Sequence, residues 1–203
     1  KGHSVVVFDS LSSGKQENVN EKATLVKGDI TDAAALTSLF QVYAFETIFH
    51  LAAQIDVRKS TENPLDDAQT NIFASLALID LATKHNVRRF IFSSTGGAIY
   101  GDTDLRPTTE KHSEHPLSPY GIAKLSIDKY LSFYHELKGL ETVSLRYGNV
   151  YGPRQNPHGE AGVVAIFLDK MLRGEQPTIN GDGIQTRDYV FVEDVVRANL
   201  AAL

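Results

Sequence analysis

Short apolar segments rich in β-branched residues recur along the chain and alternate with stretches that have a helical pattern. Residues 4–8 (SVVVF), 47–53 (TIFHLAA) and 89–93 (RFIFS) are nearly continuous apolar runs. Such runs are typical of strands that are buried on both faces of a parallel sheet. Parallel neighbours need crossover connections, which are usually helices. The pattern therefore predicts an α/β fold in which helices cover both faces of a doubly wound parallel sheet.

The remaining segments continue this alternation. Further short strands are predicted at residues 24–26, 142–146, 178–180 and 187–192. Helices are predicted from the Thr31-Asp32 cap to about residue 45, from the Asn63-Pro64 loop to about residue 85, at 120–138, at 162–173, and from Glu193 onward.

The amino-acid composition argues against several classes of binding partner. Among 203 residues, 42% are hydrophobic and 22% are charged, and the net charge of −5 includes no run of lysine or arginine. This balance argues against nucleic-acid and anionic-membrane partners. The chain has no cysteine, and no spacing of His, Asp and Glu predicts a metal site. No apolar run is long enough to cross a bilayer and no signal peptide is visible, so we expect a cytoplasmic protein.

Acidic and small residues follow the predicted strands, at the edge where open parallel sheets bind ligands. Asp9 ends the first strand, Asp29 the second, and Ala52 and Ala53 the third. A carboxylate at Asp9 is placed to accept hydrogen bonds from ribose hydroxyls and to repel a 2′-phosphate. Each residue also fits an ordinary role, as a polar strand end, a turn residue or a site of tight packing. Together they predict a nucleotide lying across one edge of the sheet.

Tyr120 and Lys124 are four residues apart at the start of a predicted helix, so both side chains project from one face. A tyrosine with a pKa of about 10 is a poor base at neutral pH, and a nearby ammonium group favours its phenolate form. The pair is therefore a candidate acid/base for a sugar or alcohol hydroxyl. Ser94 and Thr95, which follow another strand, offer hydroxyls to the same substrate. The spacing alone is common on helices and does not decide the function.

Several motifs in register give a more specific signal than any one of them. They are Asp9 after the first strand, Gly28-Asp29-Ile30, His50-Leu51-Ala52-Ala53, Ser93-Ser94-Thr95, Tyr120-x-x-x-Lys124, residues 145–153 (LRYGNVYGP), residues 181–183 (GDG) and residues 186–192 (TRDYVFV). Over essentially the whole chain the sequence resembles the extended short-chain dehydrogenase/reductase family. The most similar subgroup is that of the UDP-glucose 4-epimerases and related NAD-dependent nucleotide-sugar epimerases.

The resemblance implies roles for individual residues. Tyr120 would be the acid/base, Lys124 would hold the nicotinamide ribose and lower the tyrosine's pKa, and Thr95 would bond the reacting hydroxyl. One additional residue before Ile99 leaves Ser94 as the alternative to Thr95. The implied substrate-binding residues are Thr95, Tyr120, Asn149 and Arg187, the last two on the diphosphate side. The implied NAD-binding residues are Asp9, Ser10, Ser13, Asp29, Ile30, Leu51, Ala52, Ala53, Asn71, Ser93, Tyr120, Lys124 and Tyr147.

The resemblance also implies an activity. The expected enzyme is an NAD-dependent isomerase of nucleotide-sugar metabolism, a homodimer that interconverts UDP-glucose and UDP-galactose through a transient 4-keto sugar. A 4,6-dehydratase is disfavoured, because such an enzyme is expected to carry Asp-Glu where Gly96-Gly97 stand. A nucleotide-sugar decarboxylase or reductase and a non-catalytic NAD-binding relative remain alternatives.

The family's pattern predicts how the chain is divided. Residues 1–155 correspond to a Rossmann-like NAD-binding domain and residues 156–203 to the start of a substrate-binding region. The family's first strand and glycine-rich turn would precede Lys1, so we expect a longer protein in which that strand lies between those at 4–8 and 47–53. Direct pairing of these two strands and a strand from another copy are the alternatives. Without the turn that holds the pyrophosphate, this chain by itself is expected to bind NAD weakly and to be a poor enzyme.

Overall fold

Strands and helices alternate along the computed structural model, which describes residues 2–158 and 162–203. The strands are β1 (Val6–Asp9), β2 (Thr24–Lys27), β3 (Thr47–His50), β4 (Arg89–Thr95), β5 (Glu141–Tyr147), β6 (Asn149–Tyr151) and β7 (Tyr189–Phe191). The helices are α1 (Ala33–Val42), α2 (Val57–Glu62), α3 (Pro64–Ala68), α4 (Ala74–Lys84), α5 (Gly96–Ile99), α6 (Pro119–Lys138), α7 (Val163–Leu172) and α8 (Val192–Ala202). A π-helical turn, Gln69–Phe73, joins α3 to α4. None of the helices in these two ranges is long and apolar enough to cross a membrane.

The strand pairs in the described residues are all parallel, as the apolar runs predict. β3, β4 and β5 form one sheet in that order, β1 and β2 form a second, and β6 and β7 form a third. These parallel sheets with their flanking helices confirm the α/β fold class. β1 and β3 are not hydrogen-bonded to each other. The alternative in which the strands at 4–8 and 47–53 pair directly is therefore wrong.

The hydrophobic core lies between β4 and the helices α1, α4 and α6. Phe90 and Phe92 are two residues apart on β4, so they point to the same face, and both are fully buried. They belong to one cluster with Leu36 of α1, Ile79 of α4 and Ile127 of α6. Burial of each such side chain contributes about 1.5–3 kcal/mol. The cluster holds α6 against the sheet. It therefore fixes which face of α6 is turned toward the strand ends.

Some segments differ from the sequence-based expectations. The loop expected before the long helix contains α2, the helix itself is interrupted by the π-helical turn, and the loop after β4 begins with α5. Within the described residues no strand forms at 178–180, so that prediction is wrong. β6 has no counterpart in the prediction, and it pairs with β7.

Candidate active site at the strand ends

A cavity of about 490 Å³ lies at the carboxyl ends of β1, β2 and β3. Oδ1 of Asp9, at the end of β1, accepts a hydrogen bond from the backbone of Leu11 at 2.7 Å. Oδ1 of Asp29, after β2, accepts from the backbone and the hydroxyl of Thr31 at 2.9 and 2.7 Å. Residues that follow three different strands thus line the same cavity. Eight of the residues predicted to bind NAD line it together: Asp9, Ser10, Ser13, Asp29, Ile30, Leu51, Ala52 and Ala53.

The helix that carries Tyr120 begins with strong local signals. Ser118 caps α6 by accepting a hydrogen bond from the backbone of Gly121 at 3.1 Å, and Pro119 lies in the first turn. A Cβ at Gly121 would lie 2.5 Å from the carbonyl oxygen of Ala98. Because glycine has no Cβ, the start of α6 can pack directly against α5, which brings Tyr120 to the end of β4.

Lys124 is buried against the end of β4, with 3% of its surface exposed. Its ammonium group donates to the backbone oxygen of Ser93 at 2.8 Å. The same group lies 4.7 Å from the ring centre of Phe92 and 5.8 Å from that of Tyr120. Burial lowers the pKa of Lys124 to about 8, against the opposing effect of two nearby carboxylates. The lysine is therefore mostly protonated at neutral pH but close to its titration point.

Tyr120 has a higher pKa than the sequence predicts. Burial, and after it the negative charge of Asp67, raises the pKa of Tyr120 to about 12. Tyr120 is therefore protonated at neutral pH in this structure. The expectation that Lys124 lowers the pKa of Tyr120 stays a prediction.

The two hydroxyls at the end of β4 have different surroundings. Ser94 is two residues from Phe92 on the same face of the strand, and its Oγ is buried with no hydrogen-bond partner in the described part of the chain. Thr95 lies opposite Tyr147 of β5 and occupies the position before α5 without forming a side-chain cap. Because the Oγ of Ser94 is sealed from solvent, Thr95 remains the better candidate to meet a substrate.

Asn71 is held by a buried polar network that centres on the π-helical turn. Its Oδ1 accepts from the backbone of Gln54 at 3.0 Å, and its Nδ2 donates to the backbone oxygen of Gln54 at 2.8 Å. Oδ1 of Asp67 accepts from Nδ2 of Asn71 and from Nε2 of Gln54, both at 2.9 Å. π-Helical turns are frequent at functional sites. The network ties the loop after β3 to the helices beside Tyr120.

Sequence reasoning missed Asp67 and Gln54. In the sequence, Asp67 has the pattern of an ordinary acid in the first turn of a helix that follows Asn63-Pro64. Gln54 follows Ala53 at the start of a polar segment that also contains Asp56, Arg58 and Lys59. Both residues matter because α3 packs against α6. A single sequence does not reveal that packing.

Tyr147 lies at the end of β5, beside the candidate catalytic hydroxyl of Thr95. Its hydroxyl accepts a hydrogen bond from Nδ2 of Asn199 on α8 at 2.6 Å. Burial raises the pKa of Tyr147, and this bond opposes the rise. α8 thus fixes the position of a side chain that the sequence assigns to the nicotinamide.

The residues predicted to contact the diphosphate lie on or beside the third sheet. Asn149 begins β6 and donates from its amide to the backbone oxygen of Asp188 at 3.2 Å. Arg187 is exposed, and its guanidinium donates to the backbone oxygen of the preceding residue, Thr186, at 2.8 Å. No hydrogen bond or ion pair in the described ranges joins Asn149 or Arg187 to the Tyr120 site. Their assignment to the substrate stays a prediction.

The sequence matches a known family along its whole length. The NAD dependent epimerase/dehydratase family matches residues 1–203. A UDP-glucose 4-epimerase of Mycolicibacterium smegmatis is 46% identical over 206 residues, which cover 99% of this chain and 66% of that protein.

Solved structures are similar as well. The UDP-glucose 4-epimerase of Thermotoga maritima, crystallised with UDP-glucose, is 53% identical with a TM-score of 0.97, covering 100% of this chain and 66% of that one. The UDP-glucose 4-epimerase of Thermus thermophilus, solved as a complex with NAD, is 41% identical with a TM-score of 0.93, covering 98% and 66%. The chain thus spans 66% of the length of each of these relatives.

Proposed function

The chain belongs to the NAD-dependent epimerase/dehydratase family, as its motifs predict, and we propose that the protein is an NAD-dependent nucleotide-sugar epimerase of the UDP-glucose/UDP-galactose type. The observation that carries the proposal is the first turn of α6, where Tyr120 lies beside the buried ammonium of Lys124 at the end of β4. A phenol beside an ammonium group suits proton transfer at an alcohol. Three similar proteins support it, because each is named a UDP-glucose 4-epimerase.

The strand-end cavity fits the adenosine side of NAD. Asp9 offers Oδ2, which has no hydrogen bond from the described residues, to the ribose hydroxyls. Ala52 and Ala53 line the same cavity with side chains small enough for the cofactor to approach the backbone. The implied binding residues that do not line the cavity would hold the nicotinamide side: Asn71, Ser93, Tyr120, Lys124 and Tyr147.

The proposed reaction is an oxidation at C4 of the sugar followed by a reduction from the opposite face. When bound, NAD would supply a hydride acceptor for C4 and a positive charge beside the phenol. Tyr120 takes the proton of the 4-hydroxyl during oxidation and returns it to the 4-keto oxygen during reduction, so the two half-reactions balance. Thr95 hydrogen-bonds the same oxygen. Lys124, held by Ser93, contributes positive charge while it is protonated.

The substrate is proposed to be a UDP-hexose whose diphosphate meets Asn149 and Arg187. A guanidinium fork suits phosphate oxygens. The dehydratase alternative is further weakened by the space around Gly96. A Cβ there would lie 3.2 Å from the backbone oxygen of Arg146, a tight contact for the first atom of the acidic side chain that a dehydratase is expected to carry, whereas a Cβ at Gly97 would meet no close contact.

An apolar stripe on the outer face of α6 supports a homodimer. Ile122, Tyr130, Phe133 and Leu137 are exposed, and their spacing places them along one side of the helix. Several exposed apolar side chains on one side of a helix are typical of interaction sites. A second copy would cover the stripe through the same helix, as two-fold symmetric interfaces do.

The same proposal divides the chain into two functional parts. Residues 1–155 would hold NAD, and residues 156–203 would begin the part that holds the sugar nucleotide. The cavity at Asp9 and the Tyr120 site both lie in the first range, whereas Arg187 lies in the second. Location in the cytoplasm stays a prediction from the sequence.

The test is conversion of UDP-galactose to UDP-glucose by the full-length protein. Wild-type protein should convert it, and Tyr120→Phe should lose about 10²–10⁴ in rate because one acid/base group is gone. The melting temperature should stay unchanged, and Tyr43→Phe, outside the site, should match the wild type. Activity of Tyr120→Phe within a few-fold of wild type would sink the assignment, as would a wild-type protein that leaves the sugar unchanged.

A further inference from the structure

Asn199 of α8 is a half-buried amide to which the proposed reaction gives no task. Its Nδ2 donates to the hydroxyl oxygen of Tyr147 at 2.6 Å and to the backbone oxygen of Val195 at 2.8 Å. Its Oδ1 is buried and has no hydrogen-bond partner among the described residues. An unpartnered buried oxygen is costly. The benefit of this amide therefore lies in its nitrogen, which links α8 to a side chain at the strand ends.

The contact with Val195 fixes which way the amide points. A backbone carbonyl oxygen only accepts hydrogen bonds, so the atom of Asn199 beside it is the nitrogen. That nitrogen has two hydrogens, and the second meets the hydroxyl oxygen of Tyr147. The phenol of Tyr147 is therefore held at its hydroxyl end by a donor on α8, in addition to its attachment to β5.

α8 is itself held at both ends, so it can serve as an anchor. No residue separates Val192, where α8 begins, from Phe191, where β7 ends, and β7 pairs with β6. At the other end of the helix, Nη1 of Arg89 on β4 donates to the backbone oxygen of Ala202 at 2.9 Å. Between these ends the helix packs against β5, β6 and β7. The amide of Asn199 thus has a fixed position relative to the strands beside it.

Tyr147 lies where the orientation of a ring matters for reactivity. It is the register partner of Thr95 on the neighbouring strand, and residues paired in this way project from the same face of a sheet. Thr95 is the proposed partner of the reacting hydroxyl. A ring whose hydroxyl is held forms a rigid wall beside that position, whereas a ring without the bond is freer to change its side-chain torsions.

We propose that Asn199 is a positioning residue for the proposed reaction, which holds the ring of Tyr147 as a fixed wall beside Thr95. Asn199 acts only through the hydroxyl of Tyr147. Because the ring bounds the space at the reacting carbon, loss of its orientation should lower kcat and leave KM unchanged. This effect on kcat rests on the proposed function, whereas the holding of the ring does not.

The test is a double-mutant cycle in the full-length protein, with Asn199→Leu, Tyr147→Phe and the combined variant. Both single variants remove the same hydrogen bond, so each should lower kcat for UDP-galactose about 2- to 10-fold. The combined variant should be no slower than Tyr147→Phe. A purely structural role would lower the melting temperature and leave kcat per folded molecule unchanged. Arg197→Leu, at an exposed position on the same helix, is the matched control and should keep the wild-type kcat.

Carbon-13 NMR observes the contact without substrate. The Cζ resonance of Tyr147, identified by its loss in Tyr147→Phe, should shift in Asn199→Leu and stay in place in Arg197→Leu. Asn199→Ala, which also lacks the amide, replaces Asn199→Leu if the latter does not fold.

Three results would each overturn the proposal: an unchanged Tyr147 resonance in the Asn199 variant, an unchanged kcat in that variant, or losses of kcat that add in the combined variant. A wild type that forms no UDP-glucose would overturn the proposed function, and the resonance alone would then decide whether Asn199 holds Tyr147.

Discussion

Lys124, Asp67 and His50 are ionisable side chains buried beside the ends of β3 and β4. Burial lowers the pKa of Lys124 to about 8 and that of His50 to about 3, because a charged group loses the stabilisation that water gives it. The same burial raises the pKa of Asp67. His50 is therefore neutral at physiological pH.

The choice between NAD and NADP should depend on Asp9. Its carboxylate lines the strand-end cavity where the adenosine ribose is proposed to bind. A 2′-phosphate there meets like charge, which costs about 1–4 kcal/mol at contact distance. Calorimetry on the full-length protein should therefore show tighter binding of NAD than of NADP, and Asp9→Asn should narrow the difference. Equal affinities for the two cofactors in the wild type would count against this role.

His50 should make the protein sensitive to acid. Its ring accepts or donates a hydrogen bond with Ser75 at 2.8 Å and is buried, so the folded state keeps it neutral down to about pH 3. The unfolded chain binds a proton below its ordinary pKa of about 6.5. Stability is thus complete above pH 6.5 and falls by about 1.4 kcal/mol per pH unit between 6.5 and 3.

Urea unfolding at pH 7 and pH 5 measures this contribution. His50→Gln, which can still bond Ser75, should lose less stability between the two pH values than the wild type does. His158→Gln serves as the control because His158 is exposed. The same pH dependence in His50→Gln and wild type would show that another group is responsible.

At the scale of elements, the sequence predicts order and type well because both depend on local pattern. The buried runs and the Asp32 cap of α1 are read directly from residue types. β6 was not predicted because Tyr147-Gly148-Asn149 has the sequence pattern of a loop. It is a strand because it pairs with β7, which is distant in sequence. The π-helical turn and the burial of Asp67 depend on packing between helices distant in sequence. Residues 178–180 look like a strand but have no pairing partner in the described residues.

Arg146 joins three elements behind the active site. From β5 it donates to Asp128 on α6 at 3.0 Å, to Glu114 at 2.6 Å and to the hydroxyl of Tyr100 at 2.6 Å. Glu114 and Tyr100 belong to the segment that leads from β4 to α6. The side chain therefore fixes both ends of the connection that places Tyr120.

Arg146→Met should destabilise the protein, because Asp128 would lose its partner while remaining buried. The expected loss in unfolding free energy is about 1–3 kcal/mol. Arg173→Met is the matched control, since Arg173 pairs with Asp169 within one turn of α7 at the surface, where such pairs contribute at most about 1 kcal/mol. Denaturant unfolding measures the loss of unfolding free energy in both variants. An equal loss in the two would show that the Arg146 cluster stabilises the protein no more than a surface ion pair does.

For the whole molecule, the apolar stripe on α6 predicts self-association. Phe133→Asp places a charge in the middle of the stripe and should convert a dimer to a monomer, because a buried charge without a partner is strongly unfavourable. Val42→Asp, at an exposed apolar residue at the end of α1, should leave the assembly unchanged. Sedimentation of the full-length protein provides the measurement. A wild-type monomer, or dimers in both variants, would contradict the proposed interface.

The proposed reaction requires one site to oxidise C4 of a nucleotide sugar and to reduce it again without releasing the intermediate. Conversion of UDP-galactose that carries deuterium at C4, by the full-length protein and with NMR of the product, tests this requirement. We expect the wild type to form UDP-glucose that retains the deuterium at C4, and Tyr120→Phe to form it about 10²–10⁴ more slowly. Product with protium from solvent at C4, or no product at all, would contradict it.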